Sequence, residues 1–124
     1  MKVVLTNKEK REFFHTALCN IGSTFANYGL LFDWLQIDYN KAKKQLVAPC
    51  YEDVVLKMLQ NGAKLIVVDD ENNEYTTNIT LADIYKRIEL VPIHHLLDMA
   101  NEQDDNVTAD VILQICFFKE IVFG

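Results

Sequence analysis

From Ala109 to Phe123 the chain is apolar on nearly every side of a helix: Val111, Ile112, Leu113, Ile115, Cys116, Phe117, Phe118, Ile121, Val122 and Phe123 are broken only by Asp110, Gln114, Lys119 and Glu120. A helix of that kind has almost no polar stripe to give to water, so it either runs through the centre of a core or is shared between subunits. It falls short of the roughly 20 apolar residues that a membrane helix needs. The other elements must therefore wrap around it. With 124 residues the chain can hold one core without disulfides or metal but has no room for two. Residues 1–124 read as a single domain.

The wrapping elements are signalled locally. Thr6-Asn7-Lys8-Glu9 forms a capping box, and Phe14, Ala17, Leu18, Ile21 and Phe25 follow at helical spacing, predicting a helix that closes near Tyr28 before Gly29. Leu30 to Ile37 carries two signals. Leu30-Leu31-Phe32 suits a buried strand, while Phe32, Leu35, Tyr39, Ala42 and Leu46 mark a helical stripe, with the helix expected from about Asp38 to Val47. Pro49 suits the first turn of the next helix, whose apolar face is Val54, Val55, Met58 and Leu59 and whose end is Asn61-Gly62.

Leu65 to Val68 is a β-branched run, Asp69 to Glu74 supplies turn residues, and Tyr75 to Thr80 returns with strand propensity. A two-stranded hairpin alone is marginal in water, so it must lie on the helices or take a third strand from Leu30 to Ile37. Thr80 to Asp83 is a second helix start, stopped before Pro92. A short helix from Ile93 to Asn101, an acidic loop at Glu102 to Asn106, and a final helix capped by Thr108 complete the chain. The expected class is α+β: mostly helical, with five to six helices, a small antiparallel hairpin and room for a third strand.

Charge separates along the chain. Lys and Arg number 12 against 18 Asp and Glu, a net −6. Met1 to Ala48 holds seven bases and four acids, a balance of +3, and Pro49 to Gly124 holds five and fourteen, a balance of −9. Such halves are electrostatic partners within one fold or between copies of it. The acidic balance argues against direct binding of nucleic acid, and the chain opens without a signal-peptide pattern, so a cytoplasmic protein is expected.

Several constellations resemble chemistry. His15 and Cys19 stand four apart on one helix face, but two ligands do not make a metal site; His94 and His95, adjacent in sequence, point about 100° apart on a helix. Cys50 follows Pro49 at a helix start, where the positive end lowers a thiol pKa, making it the candidate reactive thiol; Cys116 is expected to be buried and inert. Tyr39 and Lys43 have the spacing of a dehydrogenase pair without the glycine-rich strand that such chemistry needs. Asp69, Glu71 and Asn73 alternate like calcium-loop ligands, yet Glu74 replaces the required Gly. Lys41, Lys43 and Lys44 beside Trp34 form a basic and aromatic patch of the kind that binds single strands. No cofactor is implied.

The expected function is a small acidic non-enzymatic interaction or accessory protein with a protein partner, and the short, acidic, motif-poor character resembles accessory proteins of phages and mobile elements. Two alternatives stand beside it: an inhibitor that mimics a nucleic acid, and a small thiol or His-dependent hydrolase. The candidate interaction residues are Asp69, Asp70, Glu71, Glu74, Glu102, Asp104 and Asp105 for charge, with Phe118 and Val122 on the apolar final helix, which also predicts a homodimer.

Overall fold

A computed structural model describes residues 4–71 and 73–124; Asn72, read above as a turn residue, lies outside them, as do Met1 to Val3. The first helix, α1 (Asn7–Ile21), starts as the capping box requires: the Glu9 amide donates to Thr6 Oγ1 at 3.1 Å and the Thr6 amide to Glu9 Oε1 at 3.0 Å. It ends earlier than its periodicity predicts. Ile21 leaves helical geometry at φ −137° and ψ 4°, and Gly22–Tyr28 continues as a 3-10 segment to Gly29 at φ 77°. Thr24 Oγ1 donates to the Ile21 carbonyl at 2.7 Å, taking the acceptor that the Phe25 amide would use in a continuing α-helix.

The open stretch divides. Leu30–Asp33 is a strand, β1, and α2 (Gln36–Lys44) begins two residues before the expected Asp38 and stops short of Val47. Pro49 does not enter the next helix; α3 (Tyr51–Gln60) takes Cys50 as its N-cap, leaving Pro49 in the connection. Strands β2 (Leu65–Asp69) and β3 (Thr77–Ile79) form the hairpin, and β1 joins it as the third strand in an antiparallel sheet of order β1-β2-β3. The register sets Leu31 opposite Val68, Asp33 opposite Ile66, and Ile66 opposite Asn78.

After a further capping box at Thr80 and Asp83 comes α4 (Leu81–Arg87), extended by a 3-10 turn to Leu90, then α5 (Ile93–Ala100). The last helix, α6 (Asn106–Phe118), departs from expectation at both ends. Its N-cap is Asp105, whose carboxylate accepts from the Thr108 amide at 2.9 Å. Thr108 is instead buried, with its hydroxyl 2.9 Å from His95 Nδ1. The helix stops at Phe118 because Lys119 turns left-handed at φ 69° and residues 120–124 fold back.

The choice posed by the apolar helix is settled by its neighbours. Helix α6 packs against α1, α4, α5 and β3, and Val111, Ile112, Leu113, Ile115, Cys116 and Phe117 are all buried. Phe117 meets Phe14, Phe25 and Phe32 edge-on, with centroids 5.5 to 6.3 Å apart. Each such side chain contributes roughly 1.5–3 kcal/mol on burial. A smaller cluster of Ala42, Val54 and Met58 ties α2 to α3. Trp34 belongs to it and stacks on Tyr39 at 4.7 Å, so this ring packs inward instead of serving a strand-binding patch with the lysines. The architecture is α+β, with helices on one face of the sheet.

Candidate interaction surface

The seven acids do not form one uniform surface. Asp69 is only 5% exposed; its carboxylate accepts from the Glu71 amide at 3.1 Å and the Tyr75 amide at 3.2 Å, closing the turn between β2 and β3. That corrects its reading as an interaction residue: the alternation that buries Leu65 and Val67 buries Asp69 too. Asp105 is spent as a helix cap, where the Thr108 amide holds its carboxyl below the usual 3.8. Asp104 accepts from Asn20 Nδ2 at 3.1 Å.

Asp70, Glu71, Glu74 and Glu102 are exposed. The Asp70 amide donates to the Gly29 carbonyl at 2.8 Å, and the Glu71 side chain lies so close to Gly29 that a Cβ there would stand 2.7 Å from it. Asn20 and Gly29 bracket the 3-10 segment. The acidic turn and the acidic loop are thereby held at its two ends, on the order of 15 Å apart at ~2 Å rise per residue.

Phe118 and Val122 are half-buried and share one open cleft of about 310 Å³ with Glu74, Tyr75 and Arg87. Phe118 meets Tyr75 and Phe123 at 5.6 and 6.2 Å, so it is part of an intramolecular aromatic group. Arg87 Nη1 donates to the Cys116 and Phe117 carbonyls at 3.0 and 3.1 Å. It satisfies the orphan acceptors at the end of α6, which has no base in its own last turn.

Two of the thiols, Cys19 and Cys50, stand near one another beside Glu52 and Asp53, a grouping the sequence did not announce. His15 Nε2 lies 2.9 Å from Asp53 Oδ1 and 3.6 Å from Cys19 Sγ. One nitrogen thus meets both partners, whereas a nucleophile–base–orienter relay needs the base to use one nitrogen for each. Burial, with Glu52, Cys50 and Asp53 nearby, pushes the Cys19 thiol up to about 11.

Cys50 is exposed at the start of α3. The Asp53 amide lowers its pKa, but its side-chain contacts with Glu52 and Asp53 outweigh that effect and leave it above the ordinary 9.0. The neighbouring carboxylates therefore overturn the expected activation by the helix end. Burial drives Cys116 to about 12. All three thiols are thus held above their ordinary value by their surroundings. The His94 and His95 rings lie 4.0 Å apart and tilted by 39°, with His95 Nδ1 directed to Thr108. Among the described residues, no three His, Cys, Asp or Glu side chains form a group that could hold a metal ion.

Two apolar surfaces are left uncovered, and neither was singled out from the sequence. On α5, Leu96 and Met99 face the core while Ile93 (40% exposed) and Leu97 (47%) face out, with Leu90 (59%) one turn before them. On the sheet, the residues between the core-facing ones are open: Leu31 is 47% exposed, Ile66 and Val68 are half-buried, and Leu35 flanks them at 63%. Single exposed apolar residues need no explanation, but rows of them mark contact sites. The mixed pattern Leu-Ile-Val-Val at 65–68 hid the second surface, because a fully buried strand reads the same way. Compared with known proteins, the chain matches no family model, no curated protein and no solved structure. Among the described residues, no helix is long and apolar enough to cross a membrane.

Proposed function

We propose that this is a non-enzymatic interaction protein of the cytoplasm, acting as an accessory factor that docks a protein partner. The observation that carries the reading is the second apolar face of α5. A short helix already anchored by Leu96 and Met99 presents Ile93 and Leu97, four residues apart, to solvent, and Leu90 stands exposed on the 3-10 turn before it. This is the pattern by which a helix lies in an apolar groove of another protein. Surroundings that raise every thiol pKa support the same reading against a thiol hydrolase. Asp69 and Asp105, committed to turn and cap, count against a nucleic-acid mimic built from all seven acids.

The test is a pair of charge insertions, Ile93→Glu and Leu97→Glu, at positions whose side chains already meet water. Both variants keep the fold by circular dichroism. A defined partner that co-purifies from the native cell with the parent chain is lost with both. Equal recovery with the parent and both variants refutes the assignment of α5.

A further inference from the structure

We propose that Cys19 and Cys50 are a redox pair, closing an intramolecular disulfide between α1 and the start of α3 when the protein meets an oxidised small thiol such as glutathione disulfide. Both thiols are exposed, so a small disulfide reaches them, whereas Cys116 is buried.

The packing of α1 on α3 brings the pair together. His15 of α1 meets Asp53 of α3 at 2.9 Å, and further along α1 the Tyr51 hydroxyl would stand 3.3 Å from a Cβ at Gly22. The α3 number falls as the α1 number rises, so the two helices run in opposite directions. One turn on from His15 is Cys19, whose Sγ lies 3.6 Å from His15 Nε2. One turn back from Asp53 is Cys50, the N-cap of α3, whose amide donates to Asp53 Oδ2 at 3.3 Å. The two steps converge on the same level of the helix pair. Packed helix axes ~8–10 Å apart, with Cα atoms ~2.3 Å from each axis, bring facing positions within the roughly 7 Å between Cα atoms that a disulfide spans. Cys19 and Cys50 also act on one another and both on Tyr51 electrostatically.

The step is two thiol–disulfide exchanges. The Cys50 thiolate attacks one sulfur of glutathione disulfide, forming a mixed disulfide and expelling one glutathione thiolate. The Cys19 thiolate then attacks the Cys50 sulfur and expels the second. Two protein thiols are oxidised, one small disulfide is reduced, and the two protons end on the two glutathione thiols. Neighbouring carboxylates disfavour both thiolates, which slows closing and equally denies the reduced form the thiolate stabilisation that makes a disulfide easy to reduce. In a reducing compartment such a bond is transient and reports oxidation.

The full chain, reduced and then held in millimolar glutathione disulfide at mildly alkaline pH, tests it. Unreduced peptide mapping finds a Cys19–Cys50 linkage within one chain and a free Cys116. Because the cross-link closes the 19–50 loop in the unfolded chain, Tm rises by roughly 10 °C and returns with dithiothreitol. Cys19→Ser, at an exposed position, stops at the glutathione adduct on Cys50 and gains no Tm. A parent chain that keeps both thiols, carries glutathione on each, or links them between chains overturns the proposal. So does a Cys19–Cys50 bond that lowers Tm, since the folded packing would then not hold the thiols in reach.

Discussion

Gln114 offers the sharpest test of how the final helix ends. It lies in the middle of α6, is buried, and its amide makes four hydrogen bonds. Nε2 donates to Asp110 Oδ1 and to the Phe123 carbonyl, both at 3.0 Å; Oε1 accepts from the Val122 and Phe123 amides at 2.8 and 2.9 Å. Three of the four clip the terminal segment back onto the helix. Phe123 then stacks on Tyr28, 4.9 Å away. Replacing Gln114 with Leu keeps the volume near constant and removes every bond.

At about 1 kcal/mol net per bond, and with the freed amides of the half-buried terminus partly recovered by water, the loss is about 2–4 kcal/mol. For a domain of this size that lowers Tm by roughly 10 °C. Urea denaturation gives the magnitude, and hydrogen exchange gives the mechanism: the Val122 and Phe123 amides lose protection in the variant before the rest of α6 does. A Gln114→Leu protein within ~0.5 kcal/mol of the parent, with both amides still protected, refutes the clip.

Three further outcomes are expected. Burial, and then the neighbouring His94, hold His95 below its usual 6.5, so the folded state resists a proton that the unfolded chain accepts. Its stabilising effect is complete above pH 6.5 and is lost as pH falls through that value; denaturant midpoints measured across this range fall, and His95→Gln flattens that slope. Thiol titration with a chromogenic disulfide gives no group with an apparent pKa below 9.0, and Cys116 reacts only on unfolding. Gly29→Ala costs about 1–2 kcal/mol in denaturant unfolding, the penalty of a left-handed backbone at φ 77°; an unchanged midpoint contradicts the turn geometry.

What could be read from the sequence was local. Thr6 with Glu9 and Thr80 with Asp83 announce helix starts because donor and acceptor lie three residues apart, and both boxes form. The β-branched 65–68 run gave the strand, and the instability of a lone hairpin called for the third strand that β1 supplies. What stayed hidden depends on partners distant in the chain. The break at Ile21 is local in its hydroxyl from Thr24, but the space at the following Gly22 is set in part by Tyr51, whose hydroxyl would stand 3.3 Å from a Cβ there. Asp105 and Thr108 are equally good caps on paper, and the packing of His95 against Thr108 decides between them. Gln114 reads as an interruption of an apolar run until the returning terminus explains it. The outer sheet face became visible only when Asp69 proved to point inward, which fixed the direction of every other side chain on β2.

The most direct test of the central claim, that α5 docks a protein partner through its outward residues, is co-purification with Leu97→Glu beside the conservative Leu97→Met. The account predicts that the partner recovered with the parent chain is kept by Leu97→Met, a near volume-conserving exchange, and lost with Leu97→Glu, at a position 47% exposed where a charge leaves the core undisturbed. A partner recovered with Leu97→Glu as with the parent contradicts the claim.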